Sequence, residues 1–322
     1  MLSRVADAIY WVGRYIERAE NVARFMEVNL HVMLDSGSAD SWEPLVVSTG
    51  DQDAFTPRYG EASREKVIRF LTFDPSNPNS IISSLKVARD NARSVRDTIS
   101  KEMWEHLNRF YWTVNADAAA EKAQSHPHEF LLEIKAASQL FVGATDATMS
   151  RNEAWHFLRL GTMIERADKS SRVVDMKSHL LEGGGRDVEV HWSAVLRSAS
   201  ALEMYRRRHG LIQPAHVVRF LLLDHEFPRA VHFCLIRASE SLHAITGTSP
   251  GMFTNAAEQR LGQLRSELAY TRVEDILGQG LHEYLDALQG ELNRIGDAIH
   301  ERFFACRAGE DTSVQECAMS AQ

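Results

Sequence analysis

A stripe of charge on an otherwise apolar helix, written twice, constrains this chain more than any other feature. Gly13, Glu17, Glu20 and Arg24 stand at i, i+4, i+7 and i+11, so a helix carries them on one face. Gly161, Glu165, Asp168 and Arg172 repeat that stripe, and 165 − 17 puts the copies 148 residues apart. Each lies within apolar residues at helical spacing. In the first copy these are Val5, Ile9, Val12, Ile16, Ala19, Ala23 and Met26. A largely buried helix must find partners for such ions, because an unpaired buried charge is too costly to keep.

Adjacent residues narrow the choice of partner. Glu17 and Arg18 leave the helix about 100° apart and cannot pair well with each other. Arg18 has Trp11, Val22 and Phe25 along its own face, so its stem lies on apolar surface and its head can stack on an aromatic ring. Glu20 and Arg24 have the favourable i, i+4 order, worth ~0.3–0.5 kcal/mol. On a structural reading, Glu17 and Arg18 pair with Arg166 and Glu165, and breaking such a buried pair costs roughly 3–5 kcal/mol. On a functional reading, Arg18, Arg24, Arg166 and Arg172 hold a carboxylate or phosphate, while Glu17 and Glu165 hold an amine or orient the arginines. If every carboxylate has its own arginine, no ligand is required.

Along the chain, helical spacing runs from Ser3 to about Leu34 and stops at Ser36-Gly37-Ser38. A short helix is expected around Trp42, Leu45 and Val46, a loop from Gly50 to Gly60, and a helix from Val67 to Phe73. Asn77 reads as an N-cap with Pro78 at the first helical position. The helix after it continues toward Tyr111. Residues Asn115–His126 read as a helix end plus connection, and Glu129–Gly143 as another helix. A second half opens near Asn152. Gly183-Gly184-Gly185 breaks it, and one long helix spans Gln259–Phe304 with a break near Gly278-Gln279-Gly280.

Further landmarks recur at 150 residues: Trp42 and Trp192, Phe70–Pro78 and Phe220–Pro228, Leu85 and Leu235. These imply an internal duplication: an all-α bundle of two similar halves, residues 1–147 and 151–306, in one domain, with a flexible tail over 307–322. With 44% hydrophobic and 25% charged residues, the chain can build a real core. The net charge of −8 argues against a general nucleic-acid surface. Cys234, Cys306 and Cys317 form neither a disulfide framework nor a thiolate zinc pattern. Met1–Asp7 lacks the apolar run of a signal peptide, and no stretch approaches the ~20 apolar residues of a membrane span. A cytoplasmic protein is expected, with no cofactor.

Other sites are weaker. Glu153-x-x-His156 and Glu240-x-x-His243, with Glu102 and His106, meet the ligand count of a di-metal bundle, but the two motifs do not correspond between the halves. Asn91, Arg93 and Arg96 read as the polar flank of a core helix. Asp74 and Asp224 read as turn caps. No nucleophile elbow, phosphate loop or dinucleotide fingerprint is present.

The doubled IERA helices, FLTFDPSNPNSI with ARDNARSVRDTISKEMWEHLN after it, and FLLLDHEFPRAV together resemble the alpha-E family over Met1–Cys306. That is a bacterial, all-helical family named for its Glu-Arg motif, here Glu17-Arg18 and Glu165-Arg166. The second copy departs where Thr162 stands in place of Arg14, which favours one composite site over two equivalent ones. The resemblance implies an accessory protein found beside, or fused to, circularly permuted ATP-grasp ligases and transglutaminase-like peptidases. The function expected from it is cooperation with a ligase that makes a peptide-like amide. The alternative is an enzyme using the Glu/Arg cluster for acid–base chemistry on an amide or carboxylate.

Overall fold

The structure, a computed structural model, describes residues 1–36, 42–49, 51–176 and 186–305. Among these residues every regular element is a helix. The first eight are α1 (Ser3–Ser36), α2 (Glu43–Thr49), α3 (Gln52–Tyr59), α4 (Arg64–Thr72), α5 (Ile81–Ser94), α6 (Lys101–Val114), α7 (Ala119–Ser125) and α8 (Pro127–Thr148). Next come α9 (Glu153–Asp175), α10 (Arg186–Ser198), α11 (Leu202–His209), α12 (Pro214–Leu223) and α13 (Val231–Thr246). The last are α14 (Ala256–Tyr270), α15 (Val273–Gln279), α16 (Leu281–Ile299) and a π-helical turn, His300–Phe304. None of the helices is long and apolar enough to cross a membrane.

Local chemistry sets the boundaries. Ser63, Ser80, Ser100, Asn152 and Asn255 each accept a backbone N–H at the start of a helix. Gly60 and Gly210 end α3 and α11 at φ 66° and 74°, a left-handed backbone that suits glycine. The starts of α1 and α9, α3 and α11, α4 and α12, and α5 and α13 are each 150 residues apart (153 − 3, 202 − 52, 214 − 64, 231 − 81).

α1 and α9 form the central pair. α5 and α8 flank α1 and are bridged by α6; α13 and α16 flank α9 and are bridged by α14. The apolar stripe of α1 is buried from Ile9 to Met26, and Phe157, Leu160, Ile164 and Ala167 answer it on α9. The two helices run parallel, with residue i of α1 beside about i+148 of α9, and they touch through backbone. A Cβ on Gly13 would stand 2.2 Å from the Leu158 carbonyl oxygen, and one on Gly161 would stand 2.1 Å from that of Tyr10. Only glycine allows this approach.

Several expected boundaries are corrected. The expected loop over Gly50–Gly60 contains α3. A single buried side chain, Phe55, packed edge-on to Phe70 and stacked on Tyr59, anchors it, which is too little for a periodic signal. Asn77 is not the cap of α5: its amide donates to the Phe70 carbonyl, its oxygen takes the Asn79 N–H, and Ser80 caps instead. The expected helix from Pro78 toward Tyr111 divides at Val95, because Ser100 caps a new helix. Residues 115–126 contain α7. The last expected helix breaks at Gly280, whose φ is 104°, where a break is expected, and also at Thr271, where none is. Gly37-Ser38, Gly183–Gly185, Cys306, Cys317 and the tail 307–322 lie outside the described residues.

Candidate functional site

Close backbone approach at Gly13 and Gly161 brings the charged residues one turn further along α1 and α9 within bonding distance. The Arg166 guanidinium grips Glu17 in bidentate fashion, Nε donating to Oε1 at 3.0 Å and Nη2 to Oε2 at 2.7 Å. The Arg18 guanidinium grips Glu165 in the same way, at 2.7 and 3.0 Å. These forks are the strongest geometry available to an ion pair, since both N–H groups and both oxygens are used. Glu17 and Glu165 are 1% and 0% exposed, so water screens neither pair.

Each carboxylate has a second arginine, from a different place in the chain. Glu165 also takes Arg14 Nε at 2.8 Å. Where Thr162 stands in place of Arg14, Arg229 supplies the missing cation from outside α9. It donates to Glu17 at 2.8 Å and to Glu20 at 2.7 Å. Glu20 further accepts Arg24 and the Ser138 hydroxyl, and Arg24 reaches Ser200, whose φ of 50° is unusual for a residue with a side chain. On α9, Asp168 accepts Arg172 Nε at 3.0 Å and lies 3.1 Å from Lys169. The eight candidate residues therefore fall in two clusters: Glu17, Glu20, Arg24 and Arg166 with Arg229, and Arg18, Glu165, Asp168 and Arg172 with Arg14 and Lys169.

These contacts set the electrostatics. Burial alone would raise the Glu17 pKa, but Arg166 and Arg229 overcome it and hold the carboxyl down at about 2. Glu165 is likewise pushed up by burial and drawn further down by Arg18 and Arg14. Arg229 is shifted below the usual arginine range, first by burial and then by Arg166 beside it, although Glu17 opposes both. Both glutamates are locked as carboxylates and neither is poised to exchange a proton. A general acid or base at neutral pH needs the opposite shift.

Arg14, Lys169 and Arg229 are the members that the stripe spacing does not reach. Arg229 has a sequence signal: it stands 150 residues after Asn79, one position beyond the matched Phe70–Pro78 and Phe220–Pro228 segments. Asn79 itself meets the other cluster differently, accepting Arg18 Nη1 at 3.0 Å. The expected stacking of Arg18 is onto Tyr15, at 5.2 Å.

Space around the clusters is unequal. Beside Arg18 and Arg172 the cavity is about 30 Å³, room for a water and not for a substrate. Beside Glu17 and Arg166 a larger cavity of about 440 Å³ opens among α1, α8, α9 and α13.

The metal reading fares differently. Among the described residues no three His, Cys, Asp or Glu side chains converge on one point. Glu153 takes the Met1 amino group and Glu240 takes Arg237 and Arg159. Asp74 and Asp224 close their own turns, accepting Ser76 N–H, and Glu226 and Phe227 N–H. The Cys234 thiol is buried and pushed up to about 12, unsuited to nucleophilic work.

Comparison with known proteins places these helices. An uncharacterized protein of Mycobacterium bovis is 25% identical over 92% of this chain and 36% of its own length. An uncharacterized protein of Mycobacterium tuberculosis is 24% identical over the same shares. The chain spans about a third of the length of these relatives, at 36%. No solved structure matches it. The family model for Alpha-E, "a predicted alpha-helical domain with a conserved ER motif", matches residues 1–304. With Glu17-Arg18 and Glu165-Arg166 at its centre, the chain belongs to the Alpha-E family.

Proposed function

We propose that the chain is a non-catalytic helical partner of an ATP-grasp amide ligase, and that its doubled Glu-Arg motif is a clamp fixing α1 against α9. One observation carries the clamp reading: Glu17 and Glu165 each accept two arginines and are almost wholly buried. Every carboxylate of the two clusters meets at least one arginine, so none of them needs a bound cation. The downward shifts of both carboxyls argue against acid–base chemistry on an amide or carboxylate there.

The domain plan belongs to the same proposal. Residues 1–306 form one unit of two duplicated halves, 1–147 and 151–306. Equal spacing of helix starts and the reciprocal contacts at Gly13 and Gly161 support duplication. Partnership with a cytoplasmic ATP-grasp ligase, and with a transglutaminase-like peptidase, rests on family resemblance. In the mycobacterial relatives a segment like this chain is a minor part of a longer polypeptide.

Copurification with a ligase encoded nearby, followed by product analysis of that ligase with and without this protein, tests the partnership. Association together with a changed product is expected. Neither association nor a change in product would overturn it.

A further inference from the structure

The 440 Å³ cavity beside the first cluster contains charge that the clamp does not use. Its lining includes Arg151, Arg159, Arg166 and Arg237 against two carboxylates, Glu17 and Asp146. Arg166 belongs to Glu17, and Arg151 donates to Asp146 at 2.8 Å. The remaining two arginines share Glu240. Arg237 holds both of its oxygens, at 2.8 and 3.0 Å, while Arg159 reaches it only at 3.4 Å. At least one positive charge of the lining is therefore uncompensated. Among the described residues, that long contact is the one hydrogen bond of Arg159, which leaves most of its five donors free.

The rest of the wall is apolar and aromatic. Arg159 and Arg151 lie 5.0 and 4.2 Å from the Trp155 ring, which fixes their planes without occupying their hydrogen-bonding edges. Phe141, Val142, Met163 and Phe233 complete it. A concave apolar pocket with a few convergent polar groups is the ordinary form of a small-molecule site. Burial lowers the Arg159 pKa by more than Glu240 restores, with a smaller repulsion from Arg237 added, so an incoming anion relieves a standing penalty.

We propose that this cavity binds a small amphipathic anion, a carboxylate or phosphate monoester with an apolar body, its oxygens taken by Arg159 and Arg237 and its body laid against Trp155 and Phe233. Its binding residues are not those of the Glu-Arg clamp, which borders the same cavity through Glu17 and Arg166, and the site stands whether or not the chain partners a ligase.

Isothermal titration of the full chain with N-acetylphenylalanine, phenyl phosphate and the neutral N-acetylphenylalaninamide tests the site, with acetate and inorganic phosphate as controls. One or both aromatic anions are expected to bind, and which one does identifies the headgroup. Arg159→Gln is expected to weaken that binding about tenfold or more, the loss of a charge-assisted hydrogen bond. Val142→Trp, which places an indole in the cavity from α8, is expected to abolish it while circular dichroism stays unchanged. The proposal is overturned if neither anion binds at millimolar concentration, if the amide or the bare ions bind equally well, or if Arg159→Gln binds like the wild type.

Discussion

Replacing Glu165 by Gln is the sharpest test of the clamp, because the side chain keeps its shape and loses only its charge. Glu165 accepts three arginine hydrogen bonds at 2.7 to 3.0 Å from Arg18 and Arg14 and is 0% exposed. A glutamine there turns one acceptor into a donor aimed at other donors, and leaves two guanidiniums facing each other with the countercharge removed. Breaking a buried pair in this way costs roughly 3–5 kcal/mol. At about 2 °C per kcal/mol for a large domain, the melting temperature should fall by roughly 6–10 °C. Asp90→Asn is the control, since Asp90 meets Arg93 at 3.7 Å with both side chains largely in solvent. That exposed pair should be worth less than about 1 kcal/mol. Differential scanning calorimetry on both variants reads the contrast. A Glu165→Gln protein that melts within about 2 °C of wild type, as the control should, would refute the clamp.

The same geometry predicts other outcomes. Gly13→Ala and Gly161→Ala should each destabilise by at least about 1–3 kcal/mol in urea titrations, because the new methyl meets backbone oxygen rather than a side chain that can move. Stability should be full above about pH 4.5, the ordinary value for Glu, and should decline as the pH falls toward the folded value of about 2 for Glu17. Acid-unfolding curves of Glu17→Gln should be flatter over that window, and an unchanged curve would count against its carboxylate. Arg229→Ala should cost about 1.5–3 kcal/mol, since Glu17 and Glu20 each lose one of two arginines, measurable by thermal melts. Peptide mapping after iodoacetamide treatment at pH 8 should find Cys234 unmodified until the protein is unfolded, as its thiol is buried and displaced upward.

Periodicity made the helices of this chain legible because α1, α8 and α9 each bury a long regular face. It was blind to α3 and α7, seven or eight residues long with one or two buried side chains apiece. It also could not tell a capped restart at Ser100 from continuation, since serine is tolerated in both settings. In the candidate site, spacing found the members that repeat along one helix face. Arg229 escaped because it lies in the turn before α13, and which turn faces which helix is a matter of tertiary arrangement. The cavity lining escaped for a similar reason: Arg151, Arg159 and Arg237 share no sequence pattern and meet only when α9 and α13 pack.

The side-by-side fit of Gly13 on Leu158 and Gly161 on Tyr10 has a consequence for how the chain is made. Translation delivers α1 about 150 residues before the helix it must touch. Until α9 emerges, Glu17 and Arg18 have no opposite number, and a bare strip of main chain at Gly13 lies open to water or to another copy. The packing of α1 thus depends on residues synthesised later, and the contact closes a loop of about 150 residues, a separation that slows folding in general. Chains that stall early have one ready substitute for the missing partner: the same helix on a neighbouring ribosome.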